Sequence, residues 1–520
     1  MPPGNKAEHY KSNTEEDRFR FMKDKPELNG IMEFGDMPAS EFRESGRWAL
    51  DWLADYFENI DDFPVLPRVE PGDISRMLPS DPPREGEEMG EILEDFTRII
   101  LPGVTHWNHP GFMSYFSITG SGPGILGELL CAGLNVNAML WKTCPSSTEL
   151  EQTVMEWLRK LIGLPESFWG LSYDTASVST MHAIAAAREM VPGIDVRRQG
   201  LCNSGKRLRL YISDQTHSSI EKSAIILGIG LDGVRTISSD EDFRMEAPAL
   251  AEAIKDDIRE GWTPFCVVAT VGTTSTTSVD PVDDIADICR EHGIWLHVDA
   301  AYGGMGAVLP ELKWVMKGCE KADSLVTNPH KWLFTPQEFS ALFCRHRDLL
   351  KRAFSLVPEY LKTDQDQVAL NYMDYGIQLG RRMRSLKLWF IMRYFGTSGI
   401  QRRIRRVIGW AQEIAAKIDN HPDFVRIAPV PFSTICFRAV PEKSGDDGDN
   451  SAIVDTLNQK LIHAVNRTGR VYLSHTRLNG KVAIRMALGN IRTEKRHVEE
   501  AWNTLLEEWE SLKEEFMEAG

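Results

Sequence analysis

The sequence predicts an α/β protein built on a mostly parallel sheet, with a smaller α+β region toward its C-terminal end. Three observations carry this. Short apolar runs of strand character (LRLYIS, FCVVATVGT, GIWLHVD, SALFCR) alternate with helical patterns such as PVDDIADICREHG. That alternation covers both faces of a parallel sheet with helices. Asp299 ends one of these runs, and ligands of open α/β sheets bind at strand C-termini. From about Leu386 the chain turns helix-rich. It then returns to strand-like STICFRAV and KVAIRMAL before a last helix, HVEEAWNTLLEEWESLKEEF.

Taken in order, residues 1–36 are polar and without apolar period, as expected of an extension lacking fixed structure. SEFRESGRWALDWLADYFENI has apolar residues at helical spacing, with Ser40 as N-cap and Glu44 in the first turns. Its face, Trp48, Trp52 and Tyr56 with Leu50 and Leu53, fits a core or a second subunit. The connector FPVLPRVEPGD and LPSDPPREGE is too proline-rich to be helical throughout. ELEQTVMEWLRKLIGL is an amphipathic helix. The expected organisation is an extension (1–36), a helical dimerisation segment (37–121), a large cofactor-binding domain (122–386) and a small domain (387–520).

Composition bounds the function. In 520 residues, 42% are hydrophobic and 26% charged, enough for a large core, and the net charge of −16 argues against nucleic acid or an anionic membrane as main partner. The opening MPPGNKAEHYKSNTEEDRFR has no apolar stretch, so no signal peptide is expected. Apolar runs such as Phe265–Val271 fall far short of the ~20 residues of a membrane span. The eight cysteines form no CxxC pair, which points to reduced thiols in a cytoplasmic protein and to no metal site. Gly228–Gly233 matches GxGxxG but precedes a strand, whereas a dinucleotide loop follows one. Gly200–Lys206 lacks the Ser or Thr of a P-loop. The basic run Gln401–Arg406 is the exposed start of a helix.

Two motifs remain: HVDAAYGG around Asp299 and NPHKW around Lys331. A lysine able to form a Schiff base and a carboxylate able to keep a pyridine nitrogen protonated are the groups that pyridoxal phosphate requires. With SDQTHSSI (Ser213–Ile220), VATVGTT (Val268–Thr274) and LGRRMRSLKLW (Leu379–Trp389), the chain from about Pro38 to about Trp509 resembles the aromatic L-amino acid decarboxylases, group II pyridoxal phosphate enzymes. The resemblance implies a fold type I, transferase-like large domain. It gives Lys331 the cofactor aldehyde, Asp299 the pyridine nitrogen, and His217 a place stacked on the ring near the leaving carboxylate. Thr274 lies close to the ring, Thr175, Ala176 and Ser177 grip the phosphate, and Asn328 and His330 help place the lysine. Tyr360, in FSLVPEYLKTDQDQ, would return a proton to the substrate Cα. Relatives that make aldehydes replace this tyrosine or the histidine; this chain keeps both.

The resemblance also implies a homodimer whose subunits share the pocket for a small amino acid substrate. The matching positions are Trp107, Tyr115, Phe116, Ser117, Ile118, Asn137, Met139 and Gly380. Ser117 and Ile118 replace a more usual Pro-Thr or similar pair. Asn137 replaces an aliphatic residue, Met139 a phenylalanine, and Asp174 a glycine before the phosphate segment. Gly380 is the residue found in relatives that take indole or catechol side chains. Tryptophan is therefore favoured, with phenylalanine, tyrosine and dihydroxyphenylalanine close behind. An aldehyde synthase on the same scaffold is the alternative; a cofactor-free descendant is disfavoured by intact Lys331, Asp299, His217 and Tyr360.

Overall fold

The site's position follows from strand direction. A computed structural model describes residues 35–356, 369–441 and 450–519, arranged as two units, Met1–His109 and Pro110–Gly520.

In the first unit, helix α1 (Ala39–Glu58) begins one residue before the expected cap. Pro38 takes the N-cap position, and the Phe42 N–H donates to its carbonyl at 2.9 Å. A proline has no N–H to satisfy and its φ of −57° already suits helix entry, so Ser40 falls inside the first turn without capping. Trp48, Trp52 and Tyr56, four residues apart, stack along one face with centroids 6.4 and 5.4 Å apart. Within the unit this face packs inward: Trp52 meets Phe96 edge-on at 5.1 Å, and the buried Tyr56 hydroxyl bonds His106 Nδ1 at 2.7 Å.

The second unit opens with α2 (Gly122–Leu134) and α3 (Pro145–Ile162), then enters the sheet at β1 (Trp169–Tyr173). The sheet elements follow as α4 (Ala176–Met190), β2 (Arg207–Ser213), α5 (Ser219–Ile226), β3 (Val234–Ile237), α6 (Ala247–Arg259) and β4 (Trp262–Thr270). Next come α7 (Val282–His292), β5 (Trp295–Asp299), β6 (Ser324–Thr327) and β7 (Ser340–Cys344). The strand order is β1-β7-β6-β5-β4-β2-β3. Neighbours from β6 to β3 run parallel, while β7 runs antiparallel to both β6 and β1. The mostly parallel sheet is thus as expected. Its central strands are buried on both faces: Phe265 to Ala269 of β4 are at most 1% exposed, which is why they read as an unbroken apolar run. Helix α7 buries Val282, Ile285, Ala286 and Cys289, a single 3.6-period stripe, and ends at Gly293 with φ 65°, the left-handed stop glycine supplies most readily. Gly228–Gly233 runs from the end of α5 to β3, the reverse of dinucleotide-loop order.

Beyond the sheet, α8 (Ser385–Asp419) is broken at Gly396 (φ 61°, ψ 169°). The basic run Gln401–Arg406 therefore does not open the helix; it follows this break by about one turn, with Arg405 paired to Glu311. Strands β8 (Phe424–Arg426) and β9 (Thr434–Ala439), helix α9 (Asn450–Arg467), and strands β10 (Ser474–Leu478) and β11 (Lys481–Ala487) precede α10 (Lys495–Ala519). These four strands form an antiparallel sheet in the order β10-β11-β9-β8. All eight cysteines are free, and only Cys202 is exposed. Among the described residues no helix is long and apolar enough to cross a membrane.

Candidate active site

The motif segments around His217, Thr274, Asp299 and Lys331 follow the C-terminal ends of the parallel strands β2, β4, β5 and β6. Asp299 closes β5, in register with Thr270 of β4 and Val326 of β6. Its side chain is 7% exposed, and Oδ1 accepts the Ala301 N–H at 3.0 Å. Among the described residues no donor engages Oδ2, so one carboxylate oxygen is left to a ligand.

The lysine loop leaves the end of β6 beside it. The Asn328 N–H donates to the Ala301 carbonyl (3.0 Å), the Lys331 N–H donates to the Asn328 carbonyl (2.9 Å), and Pro329–Trp332 makes one helical turn. Trp332, fully buried, stacks on Tyr302 at 4.6 Å, which stacks in turn on Phe116 at 4.0 Å. The Lys331 Nζ lies 5.0 Å from the Phe116 ring centroid, and no described hydrogen bond or ion pair engages it. Burial lowers its pKa; nearby Asp299 opposes this, and Arg485 adds to it. His330 turns the other way: Nδ1 accepts the Phe339 N–H at 3.0 Å, and burial pushes its pKa down to about 3, keeping the ring neutral. Thr270 Oγ1, Thr327 Oγ1 and Asn328 Oδ1 are buried near these strand ends without a hydrogen-bond partner among the described residues.

His217 follows β2 in a turn fixed by the Thr216 hydroxyl, which accepts the Ser213 N–H at 2.9 Å. The Ser219 N–H donates to His217 Nδ1 (3.2 Å), with Ser219 Oγ at 2.8 Å, so Nδ1 carries the lone pair and a neutral ring has its proton on Nε2. The ring remains solvent-accessible. Its pKa falls by desolvation, partly countered by Asp299 and reinforced by Lys331 and Lys222. His217, Asp299 and Lys331 thus act electrostatically on one another.

After β1, Thr175 caps α4 with extended backbone (φ −132°, ψ 161°), but its hydroxyl makes no cap bond. The N–H groups of Ala176, Ser177 and Val178, in the first turn, are left for an anion. Helix α4 is fixed to the sheet below by Ser179 Oγ to Ser340 Oγ (2.7 Å) and Thr180 Oγ1 to His297 Nε2 (3.1 Å). Thr274, in the loop after β4, is exposed.

The expected pocket residues do not form one group. Phe116 lies at the lysine. Tyr115, at φ 49°, bonds the Tyr472 hydroxyl at 3.1 Å, and Ser117 is buried while Ile118 is partly so. Asn137, Met139 and Gly380 make a separate cluster. Asn137 Oδ1 accepts the Arg381 N–H at 3.0 Å, a Cβ on Gly380 would stand 3.8 Å from Asn137 Nδ2, and Met139 packs on Leu140 and Met373. Trp107 belongs to the first unit. Tyr360 lies outside the described residues.

Sequence reasoning passed over Arg485. On β11 and 4% exposed, it donates from Nε to the Ser275 carbonyl (3.0 Å), places its guanidinium 4.8 Å from the Phe116 centroid, and leaves Nη2 buried without a partner among the described residues. The signal was present in KVAIRMAL: an arginine inside an apolar strand is expensive unless it is engaged.

A family model for the pyridoxal-dependent decarboxylase conserved domain matches residues 71–440. The chain belongs to this family. Phenylacetaldehyde synthase of Arabidopsis thaliana is 39% identical over 482 residues, covering 91% of this chain and 96% of that one. Aromatic-L-amino-acid decarboxylase of Sus scrofa is 38% identical over 479 residues, covering 90% and 96%. The structure of Catharanthus roseus tryptophan decarboxylase in complex with L-tryptophan superposes with a TM-score of 0.85 at 35% identity, covering 92% of this chain and all of that one. This decarboxylase is a pyridoxal phosphate-dependent carboxy-lyase of fold type I. Its residues fit the cofactor: a partly buried lysine without an ion-pair partner among the described residues, a free carboxylate oxygen at the adjoining strand end, and an uncapped helix start.

Proposed function

We propose that this decarboxylase converts an aromatic L-amino acid to its amine and carbon dioxide, with tryptophan favoured and phenylalanine, tyrosine and dihydroxyphenylalanine as further substrates. The observation that carries the reading is the convergence of Lys331, Asp299 and His217 at neighbouring strand ends, where each shifts or opposes the charge of another. Pyridoxal phosphate, when bound, supplies an electron sink conjugated with the amino acid Cα. Lys331 would hold the cofactor, and burial lowers its pKa, which favours the neutral, nucleophilic amine. Asp299 Oδ2 would hold a proton on the pyridine nitrogen. The first turn of α4 with Thr175 and Ser177 would bind the phosphate, with Thr274, Asn328 and His330 supporting the ring and the lysine. His217, its tautomer set by Ser219, would offer an N–H from Nε2 beside the ring. Tyr360 would deliver a proton to Cα.

A second reading, oxidative conversion to the aldehyde, draws support from the likeness to the Arabidopsis synthase. The presence of both His217 and Tyr360 favours the amine. The chain would act as a cytoplasmic homodimer whose subunits share the pocket through the segments 105–118 and 135–141; that the contacts of Asn137 and Met139 are with Arg381, Leu140 and Met373 rather than with the lysine supports this. The deciding experiment offers each aromatic amino acid to purified enzyme and measures amine, aldehyde, ammonia and carbon dioxide together. Amine equal to carbon dioxide is expected. Aldehyde and ammonia matching carbon dioxide would establish the second reading instead.

A further inference from the structure

We propose that Asp174 is a positioning residue for the cofactor, tying the phosphate turn through Arg384 to the loop that carries Lys331. This rests on the function proposed above. Strands β1 and β7 are antiparallel neighbours with Tyr173 opposite Ser340, so the residue after β1 and the residues before β7 emerge at the same edge. Asp174 leads directly into Thr175 and α4. Glu338 precedes Phe339, whose N–H is held by the His330 ring, one residue from the lysine.

Arg384, just before α8 and 6% exposed, joins the two. Its Nη2 bonds Asp174 Oδ1 and also Glu338 Oε1, the latter at 3.1 Å. The second Asp174 oxygen accepts Gln378 Nε2 at 2.6 Å. Arg384 Nε and Nη1 are buried without partners, so these two carboxylates are what holds the guanidinium among the described residues. Removing one carboxylate from a buried guanidinium leaves its charge poorly compensated, and the chain around it must shift. Both oxygens of Asp174 are engaged by Arg384 and Gln378, so its negative charge is spent on this tie and does not oppose a phosphate at Thr175. A glycine at this position could not make the tie. In this chain, therefore, the spacing between phosphate turn and lysine depends on an ion pair.

The test strips the full-length enzyme of cofactor and measures dissociation constants for pyridoxal phosphate and for phosphate-free pyridoxal by quenching of tryptophan fluorescence. Asp174→Ala should weaken pyridoxal phosphate about tenfold and leave pyridoxal within about twofold, because pyridoxal makes no use of the turn. Asp174→Asn, which can still accept from Arg384, should recover part of the loss, and it reads the same contrast if the alanine variant does not fold. Equal constants in variants and wild type, or equal losses for both ligands, would overturn the assignment. Wild type that bound neither ligand would contradict the proposed function instead.

Discussion

The Lys331 ammonium stands 5.0 Å from the centre of the Phe116 ring, while Phe116 stacks on Tyr302 and Tyr302 on Trp332. The lysine is thus set beside an aromatic stack and makes no ion pair among the described residues, with only the nearby Asp299 carboxylate favouring its charged form. This arrangement suits a nucleophile and is costly for a cation.

The cost is measurable. Because Lys331 has a lowered folded-state pKa, the unfolded chain binds more protons than the native one between that value and the usual ~10.4. Stability of the cofactor-free enzyme therefore gains from this site as pH rises through that window. Lys331→Met should raise the melting temperature of cofactor-free enzyme at pH 7, and the gap to wild type should narrow by pH 10. A gap that stays constant with pH would mean the amine is not desolvated. The same variant should prevent borohydride from fixing the cofactor to the chain.

Asp299→Ala should retain cofactor, since the phosphate turn and Lys331 are untouched, yet lower kcat by at least about 10²–10³-fold, the scale of a lost preorganised electrostatic group. Steady-state kinetics beside a cofactor stoichiometry near one separate this from loss of binding. Turnover close to wild type would remove Asp299 from the chemistry.

Tyr360→Phe keeps the ring and removes the acidic hydroxyl. A positioned general acid contributes about 10²–10⁴-fold, so amine formation should fall while substrate affinity changes little. Under air, the product should shift toward aldehyde with ammonia and peroxide. Unchanged amine yield would assign the proton to another group, His217 being the nearest alternative.

His297 gives a pH prediction for the fold itself. Fully buried between Thr180 and Ser324, it is driven by desolvation to a pKa of about 4. Its folded pKa lies below the ordinary ~6.5, so stability is present above that value and is lost as pH falls toward 4. The loss at this site is on the order of 3 kcal/mol. Asp280, raised to about 6 by burial, works in the opposite direction over part of the window. His297→Gln should therefore flatten the acid limb of a plot of unfolding free energy against pH; an unchanged limb would show that the buried ring carries no such charge cost.

What could be read from the chain alone follows from locality. The parallel sheet was legible because doubly buried strands such as Phe265 to Ala269 must be continuously apolar, and Asp299 and Lys331 because each sits in a short motif at a strand end. His217 was legible in the same way, although the Ser219 contact that sets its tautomer was not. Arg384 meets Asp174 across 210 residues of sequence, and no local pattern encodes that meeting. Arg485 stood out as an arginine inside the apolar run KVAIRMAL, but its partners were hidden likewise, since Phe116 and Ser275 come from distant segments. The cap of α1 was misplaced because a serine at the start of a helical pattern outweighed the proline two residues earlier. The hydrophobic period of Gln401–Arg406 could not reveal that Gly396 breaks the helix before it.

The distribution of thiols has a practical consequence. Seven of the eight cysteines are buried, and burial pushes Cys436 up to about 11, Cys344 up to about 12 and Cys266 well above its ordinary range, which leaves little thiolate at these three at neutral pH. Cys202 alone faces solvent, in the stretch between α4 and β2. An ordinary maleimide reagent at pH 7 will therefore attach one dye or one spin label per chain, without engineering. A pair of such labels would make the distance between two copies directly readable by spectroscopy while the catalytic groups stay unmodified.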